Sequence, residues 1–231
     1  MRFCRRFAIK TFVLNGWSAS ESAWDLCTFA RDRVFSYVEQ LDGAPERALR
    51  EEDGVILVGW SMGGSTALRL AIAEPEKIRG LVLVAATARM MKDTGWAGMS
   101  ERRLAALEYG LKLTRGEGFS ALPEGAPNPY MLDDDANLAR GLAYLRETDV
   151  RRELADVCAS GRLRCPVHVF QSEHDGIVRR ENADFFRGVF PDAVVEIVPG
   201  FEHALPVVIP ERIDAAVAAI RAASDSGNNN I

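Results

Sequence analysis

An α/β architecture, with a mostly parallel sheet and helices on both faces, is predicted by three features of this 231-residue chain. Short apolar, β-branched blocks alternate with segments of helical length, the pattern of strand–helix–strand units. One block, Val55-Ile56-Leu57-Val58, is apolar at every position and reads as a strand buried on both faces. That block runs through Gly59-Trp60-Ser61-Met62-Gly63-Gly64 straight into helix-forming sequence. A composition of 48% hydrophobic residues at this length supports one substantial core with room for an insertion.

Taken in order, residues 7–14 read as a strand ending in Asn15-Gly16-Trp17, 21–30 as a helix, 34–39 as a strand and 45–52 as a short helix. The elbow strand 55–58 follows, then a helix over 65–73 stopped by Pro75, then a strand over 81–85. From 87 to 158 there is no strand signal, only helical stretches such as 102–113 and 137–146. Alternation resumes at Cys165, with strands over 167–170 and 193–198 and a final helix. The expected organisation is a core of residues 1–86 and 159–223, a helical lid over 87–158, and a polar, disordered tail over 224–231.

Ser61 stands at the centre of a G-x-S-x-G pattern between a strand and a helix. Such a turn holds the serine in a strained conformation and presents Oγ at the end of the sheet, and Gly59 and Gly63 are expected to be needed for close packing there. A serine hydroxyl needs a base and a group that orients the base. Of the three histidines, His168 lies inside a strand, whereas His174 and His203 follow strand ends. Ser61, Asp175 and His203 give the order nucleophile, acid, histidine found in α/β-hydrolases, each just beyond a strand's C-terminal end. Glu173 and Asp156 stand as reserve acids and His174 as a rival base.

The net charge of −5 gives no overall attraction to nucleic acid or anionic membrane. The basic start Met1-Arg2-Phe3-Cys4-Arg5-Arg6 is followed by too short an apolar run for a signal segment or membrane span. Four scattered cysteines lack metal-ligand spacing and suit a reducing, cytoplasmic setting; no metal and no cofactor is expected.

The chain resembles the pimeloyl-acyl carrier protein methyl ester esterases of biotin synthesis, within the α/β-hydrolases. Asn15-Gly16-Trp17 with Trp24 resembles that family's His-Gly-Trp loop and later Trp. Gly59 to Gly64 is similar to its Gly-Trp-Ser-Leu-Gly-Gly elbow. Pro75-Glu76-Lys77-Ile78-Arg79, Asp175-Gly176-Ile177-Val178 and His203-Ala204 match further runs. Asn15 departs from the usual His, and the early arrival of this loop implies an N-terminally trimmed sheet.

The resemblance implies a serine carboxylesterase with Ser61, Asp175 and His203 as catalytic residues. The backbone N–H groups of Met62 and Trp17 would form the oxyanion site, with Asn15 bracing its loop or donating to the oxyanion directly and Trp60 beside the acyl group. It also implies a small-molecule or carrier-bound ester as substrate. An acidic carrier protein would dock on lid arginines such as Arg102, Arg103, Arg140, Arg146, Arg151 and Arg152, although Asp133-Asp134-Asp135 offsets their charge. A general short-chain esterase, a hydrolase of carbon–carbon bonds, and a catalytically silent scaffold of the same fold remain as alternatives.

Overall fold

The computed structural model describes residues 10–14, 33–114, 135–200 and 202–227. Among them the apolar blocks form one six-stranded sheet in the order β2-β1-β3-β4-β5-β6, and every neighbouring pair is parallel. The strands are β1 (Lys10–Leu14), β2 (Arg33–Phe35), β3 (Val55–Trp60), β4 (Ile78–Val84), β5 (Val167–Ser172) and β6 (Val194–Val198). The helices are α1 (Tyr37–Leu41), α2 (Ala44–Arg50), α3 (Met62–Ala73), α4 (Glu101–Thr114), α5 (Asp135–Glu147), α6 (Arg151–Ala159), α7 (Asn182–Val189), α8 (Leu205–Val208) and α9 (Pro210–Gly227).

The period of two along β3 and β4 splits their side chains between two cores. Val55, Leu57, Leu81 and Leu83 face one that includes Leu68 of α3, Leu154 of α6 and Phe186 of α7. Ile56, Val58, Val82 and Val84 face the other, with Ile213 and Val217 of α9 and Leu104 of α4. Burying each such aliphatic side chain contributes about 1.5–3 kcal/mol, which is why the middle of this sheet is the fixed frame on which the loops sit.

β2 and β3 lie on opposite sides of β1, so the winding of the chain reverses there. In open parallel sheets the crevice at such a reversal, outside the C-terminal ends of the strands, is where ligands bind. β3 ends in that crevice with Gly59 opposite Leu14 of β1, and Ser61 is the next residue but one.

Three expectations are corrected. Residues 34–39 are not one strand: β2 stops at Phe35 and α1 starts at Tyr37. Ser36 and Glu39 close a reciprocal capping box, Glu39 N–H donating to Ser36 Oγ and Ser36 N–H to Glu39 Oε2, which starts a helix where Tyr37 and Val38 would otherwise prolong the strand. Residues 224–227, expected in a disordered tail, continue α9, where Ser224 Oγ donates back to the Ile220 carbonyl. The expected strands over 55–58 and 81–85 begin or end a few residues away, as β3 and β4. The helix expected over 21–30 and the start of the strand expected over 7–14 lie outside the described residues.

Between β4 and β5 the chain leaves the sheet through α4, α5 and α6. The two ends of this excursion are joined at its base, where Val150 N–H donates to the Ala88 carbonyl at 2.9 Å and Arg89 pairs antiparallel with Asp149. α6 packs beside α3 and α7 in the core layer, while α5 packs on α1 and reaches α3 through Tyr144 Oη, 3.1 Å from Thr66 Oγ1. Among the described residues no helix is long and apolar enough to cross a membrane.

Candidate active site

Three turns bring the site together. The first is the elbow between β3 and α3. Ser61 has φ 54° and ψ −118°, a region that costs a residue with a side chain on the order of 1–3 kcal/mol. Its N–H still donates to the Val84 carbonyl at 3.0 Å, and its carbonyl accepts from Gly64 N–H at 3.0 Å, so the strain is bridged from both sides. Close packing is what forces the glycines. A Cβ on Gly59 would lie 2.5 Å from the Gly63 carbonyl oxygen, and one on Gly64 would lie 2.3 Å from Ala86 Cβ. Of the two glycines the motif points to, Gly59 is held by this contact, and Gly64 is a further position where the approach admits only hydrogen. Among the described residues no side chain caps α3, which leaves the N–H of its first residue, Met62, available at the site.

The second turn follows β5 and carries Asp175, whose side chain has no solvent exposure. Its Oδ1 accepts the N–H groups of Ile177 at 2.7 Å and Val178 at 3.0 Å, an Asx-type turn that fixes the carboxylate, and among the described residues no lysine or arginine pairs with it. Gln171, buried in β5, donates to the Val178 carbonyl at 2.9 Å and approaches Asp175 Oδ2 at 3.5 Å. Sequence reasoning missed Gln171; the available signal was an amide four residues before the acid in an otherwise apolar strand. Arg103 on α4 donates to the Gly176 carbonyl at 2.7 Å, so the excursion also touches this turn.

The third turn follows β6 and carries His203. Gly200, at φ 115°, turns its carbonyl to accept both Ser172 Oγ and His174 N–H at 2.9 Å, which ties the second turn to the third. His203 Nδ1 lies 2.7 Å from Asp175 Oδ2, and Nε2 lies 2.8 Å from Ser61 Oγ. All three residues are buried. Neutral imidazole with its proton on Nδ1 satisfies both contacts at once, donating to the carboxylate and accepting from the hydroxyl.

The remaining candidates lie elsewhere. His174 is more than half exposed and sits 3.9 Å from Glu173. Asp156 is exposed on α6 beside Arg152. His168 is half-buried on β5, next to Phe170. Met62 is buried at the start of α3. Trp60 is buried too, and its indole Nε1–H donates to the His203 carbonyl at 2.9 Å. Asn15 and Trp17 lie outside the described residues.

Residues 15–207 match the family model described as the alpha/beta hydrolase fold. The chain is 26% identical over 240 aligned residues to a pimeloyl-[acyl-carrier protein] methyl ester esterase of Yersinia enterocolitica, covering 89% of this chain and 90% of that protein. It is 28% identical over 249 aligned residues to the one of Edwardsiella ictaluri, with coverage of 89% and 90%. An esterase from Exiguobacterium antarcticum superposes with a TM-score of 0.71 at 18% identity, covering 92% of each chain. With its parallel sheet, its strained serine elbow and a match over most of its length, the chain belongs to the alpha/beta hydrolase fold family.

Proposed function

We propose that this protein is a serine carboxylesterase that cleaves the methyl ester of an acyl group, with pimeloyl-acyl carrier protein methyl ester as the specific candidate. The observation that carries the ester chemistry is the unbroken chain from Ser61 Oγ through His203 to Asp175, at 2.8 and 2.7 Å. The names of the relatives at 26% and 28% identity support the substrate.

On this reading Ser61 Oγ attacks the ester carbonyl while His203 Nε2 takes its proton. Asp175 holds the proton-bearing Nδ1 in place and stabilises the imidazolium. The oxyanion is met by Met62 N–H at the start of α3 and, as the resemblance implies, by Trp17 N–H; each donor is worth about 3 kcal/mol of barrier. His203 returns the proton to the departing alkoxide, which leaves as methanol. A water molecule, deprotonated by the same imidazole, then attacks the acyl carbonyl and displaces Ser61 Oγ, which takes the proton back from the imidazolium as the acid leaves.

Residues 87–158 would form the lid over the acyl group, and its arginines a surface for the carrier. One observation favours the second reading, a small-molecule esterase. Arg140 pairs with Asp42 at 2.6 Å, Arg146 with Glu101 at 3.3 Å, Arg151 with Asp149 and Asp93 at 2.8 Å, and Arg152 with Asp156 at 3.8 Å. Only Arg102 and Arg103 of the six named arginines lack an acidic partner among the described residues.

The test compares hydrolysis of pimeloyl-acyl carrier protein methyl ester and of a free short-chain methyl ester by wild type and Ser61→Ala. The substitution is expected to lower kcat by about 10⁴-fold or more on either ester while leaving Tm unchanged. Retained turnover in Ser61→Ala would remove the serine from the mechanism. Turnover of the free ester alone would keep the chemistry and discard the carrier.

A further inference from the structure

We infer that Trp60 is a positioning residue for His203: its indole N–H holds the backbone of the base in register with the nucleophile. The inference rests on the reading of Ser61 and His203 given above, and it assigns Trp60 a task other than lining the acyl group.

His203 belongs to no helix or strand; it lies between β6 and α8, where no ladder fixes it. Locally, Leu205 N–H donates to the His203 carbonyl at 2.9 Å, around Ala204 at φ −80° and ψ 53°. That is an inverse γ-turn, which shapes the loop but does not anchor it to the sheet. The same carbonyl accepts the indole N–H of Trp60 at 2.9 Å, from a residue 143 positions earlier. The indole is fully buried and its ring centre lies 5.9 Å from that of the imidazole.

Trp60 is the last residue of β3 and Ser61 is the next in the chain. One strand end therefore sets two positions: that of Oγ through the elbow, and that of the His203 backbone through the indole. The gap of 2.8 Å between Oγ and Nε2 then closes over a short path anchored in the centre of the sheet rather than over the length of the loop. An error of about 1 Å in such an alignment can cost on the order of 10²-fold in rate.

The test is Trp60→Phe, which keeps a buried ring, removes the N–H and leaves the carbonyl its γ-turn partner. With a free short-chain ester, kcat is expected to fall about 10- to 100-fold with KM changed by less than about twofold. The low-field proton NMR signal of His203 Nδ1–H is expected to broaden or to exchange faster with solvent. Trp60→His, which returns a ring N–H to the site, is expected to recover part of kcat. In the wild type the Trp60 indole proton is expected to exchange slowly with solvent.

A rise in KM with kcat and the His203 signal unchanged would overturn the inference and make Trp60 a substrate wall. So would a lowered Tm with wild-type kcat measured well below it. Should Trp60→Phe fail to fold, exchange of the wild-type indole proton at the rate of a free indole overturns the inference by itself. Absence of Ser61-dependent ester turnover in the wild type would instead defeat the proposed function, and the two proton measurements would still decide whether Trp60 holds His203.

Discussion

Two aspartates in this molecule are held by different kinds of donor. Asp175 receives two backbone N–H groups, at 2.7 and 3.0 Å, and an imidazole at 2.7 Å, and its side chain is fully buried. Asp149, at the base of the excursion, receives Arg89 at 2.5 Å and Arg151 at 2.8 Å, with 31% of its side chain exposed. The difference lies in what supplies the positive potential. Backbone N–H groups carry only partial charges, and on the proposed function they leave the carboxylate of Asp175 to act on an imidazolium. The guanidinium hydrogen bonds, from Arg151 above all, hold the Asp149 carboxyl well below the usual carboxylate range and consume its charge. The first arrangement keeps an anion usable; the second spends it on joining two chain segments.

Replacing the usable anion has the largest expected effect. Asp175→Asn keeps an oxygen for the Ile177 and Val178 N–H groups, so the turn survives, but it presents an amide N–H where His203 Nδ1–H must donate. The imidazole is then driven to the wrong tautomer, and kcat is expected to fall about 10⁴-fold on any ester substrate, with little change in Tm. A rate near wild type would move the acid role away from Asp175, with Glu173 the first place to look.

Replacing the spent anion has the converse signature. Asp149→Asn breaks a network in which Arg89 and Arg151 converge, Arg151 also reaches Asp93 at 2.8 Å, and its guanidinium lies 5.1 Å from the Trp96 ring centre. The expected result is a loss of about 1 kcal/mol in urea unfolding at neutral pH, with kcat unchanged. The folded carboxyl holds its proton less tightly than the unfolded one, so its contribution is complete above about pH 4 and fades as acid is added. Wild type and variant should converge in stability below that pH. A gap that stays constant would mean that shape, not charge, is what the side chain supplies.

The parts legible in the sequence were those with a local signature. The apolar run into Gly59-Trp60-Ser61, the stop at Pro75 and the order of Ser61, Asp175 and His203 are readable residue by residue, and the three residues meet within hydrogen-bond distance. The capping box of Ser36 and Glu39 was also written locally, but the aromatic Tyr37 and β-branched Val38 inside it pointed the other way. What could not be read depends on distant pairs. The collision of Gly64 with Ala86 requires the packing of α3 against the chain beyond β4. The bonds from Trp60 to His203 and from Arg103 to Gly176 join segments 143 and 73 residues apart. Neither periodicity nor turn chemistry encodes such pairs; they appear only once the sheet has set the order of its strands.

The smallest expected effect separates both aspartates from a third polar group, the half-buried His168. It stands in β5 with its ring beside Phe170, and its Nδ1 is buried without a hydrogen-bond partner among the described residues. Burial pushes its pKa down, opposed in part by Glu196 on β6, which is itself paired with Arg212 of α9. Here nothing in the fold uses the charge, and the folded state simply prefers the neutral ring. The unfolded chain takes up a proton near pH 6.5 while the folded one resists it, so wild-type stability should decline as pH falls below that value. His168→Leu has no proton to bind at this position. Its urea midpoint should therefore fall less than that of wild type between pH 8 and pH 5, with kcat on a free ester unchanged at pH 8. Equal declines in the two proteins would show that Glu196 accommodates the imidazolium after all, and that His168 contributes no pH dependence to the core.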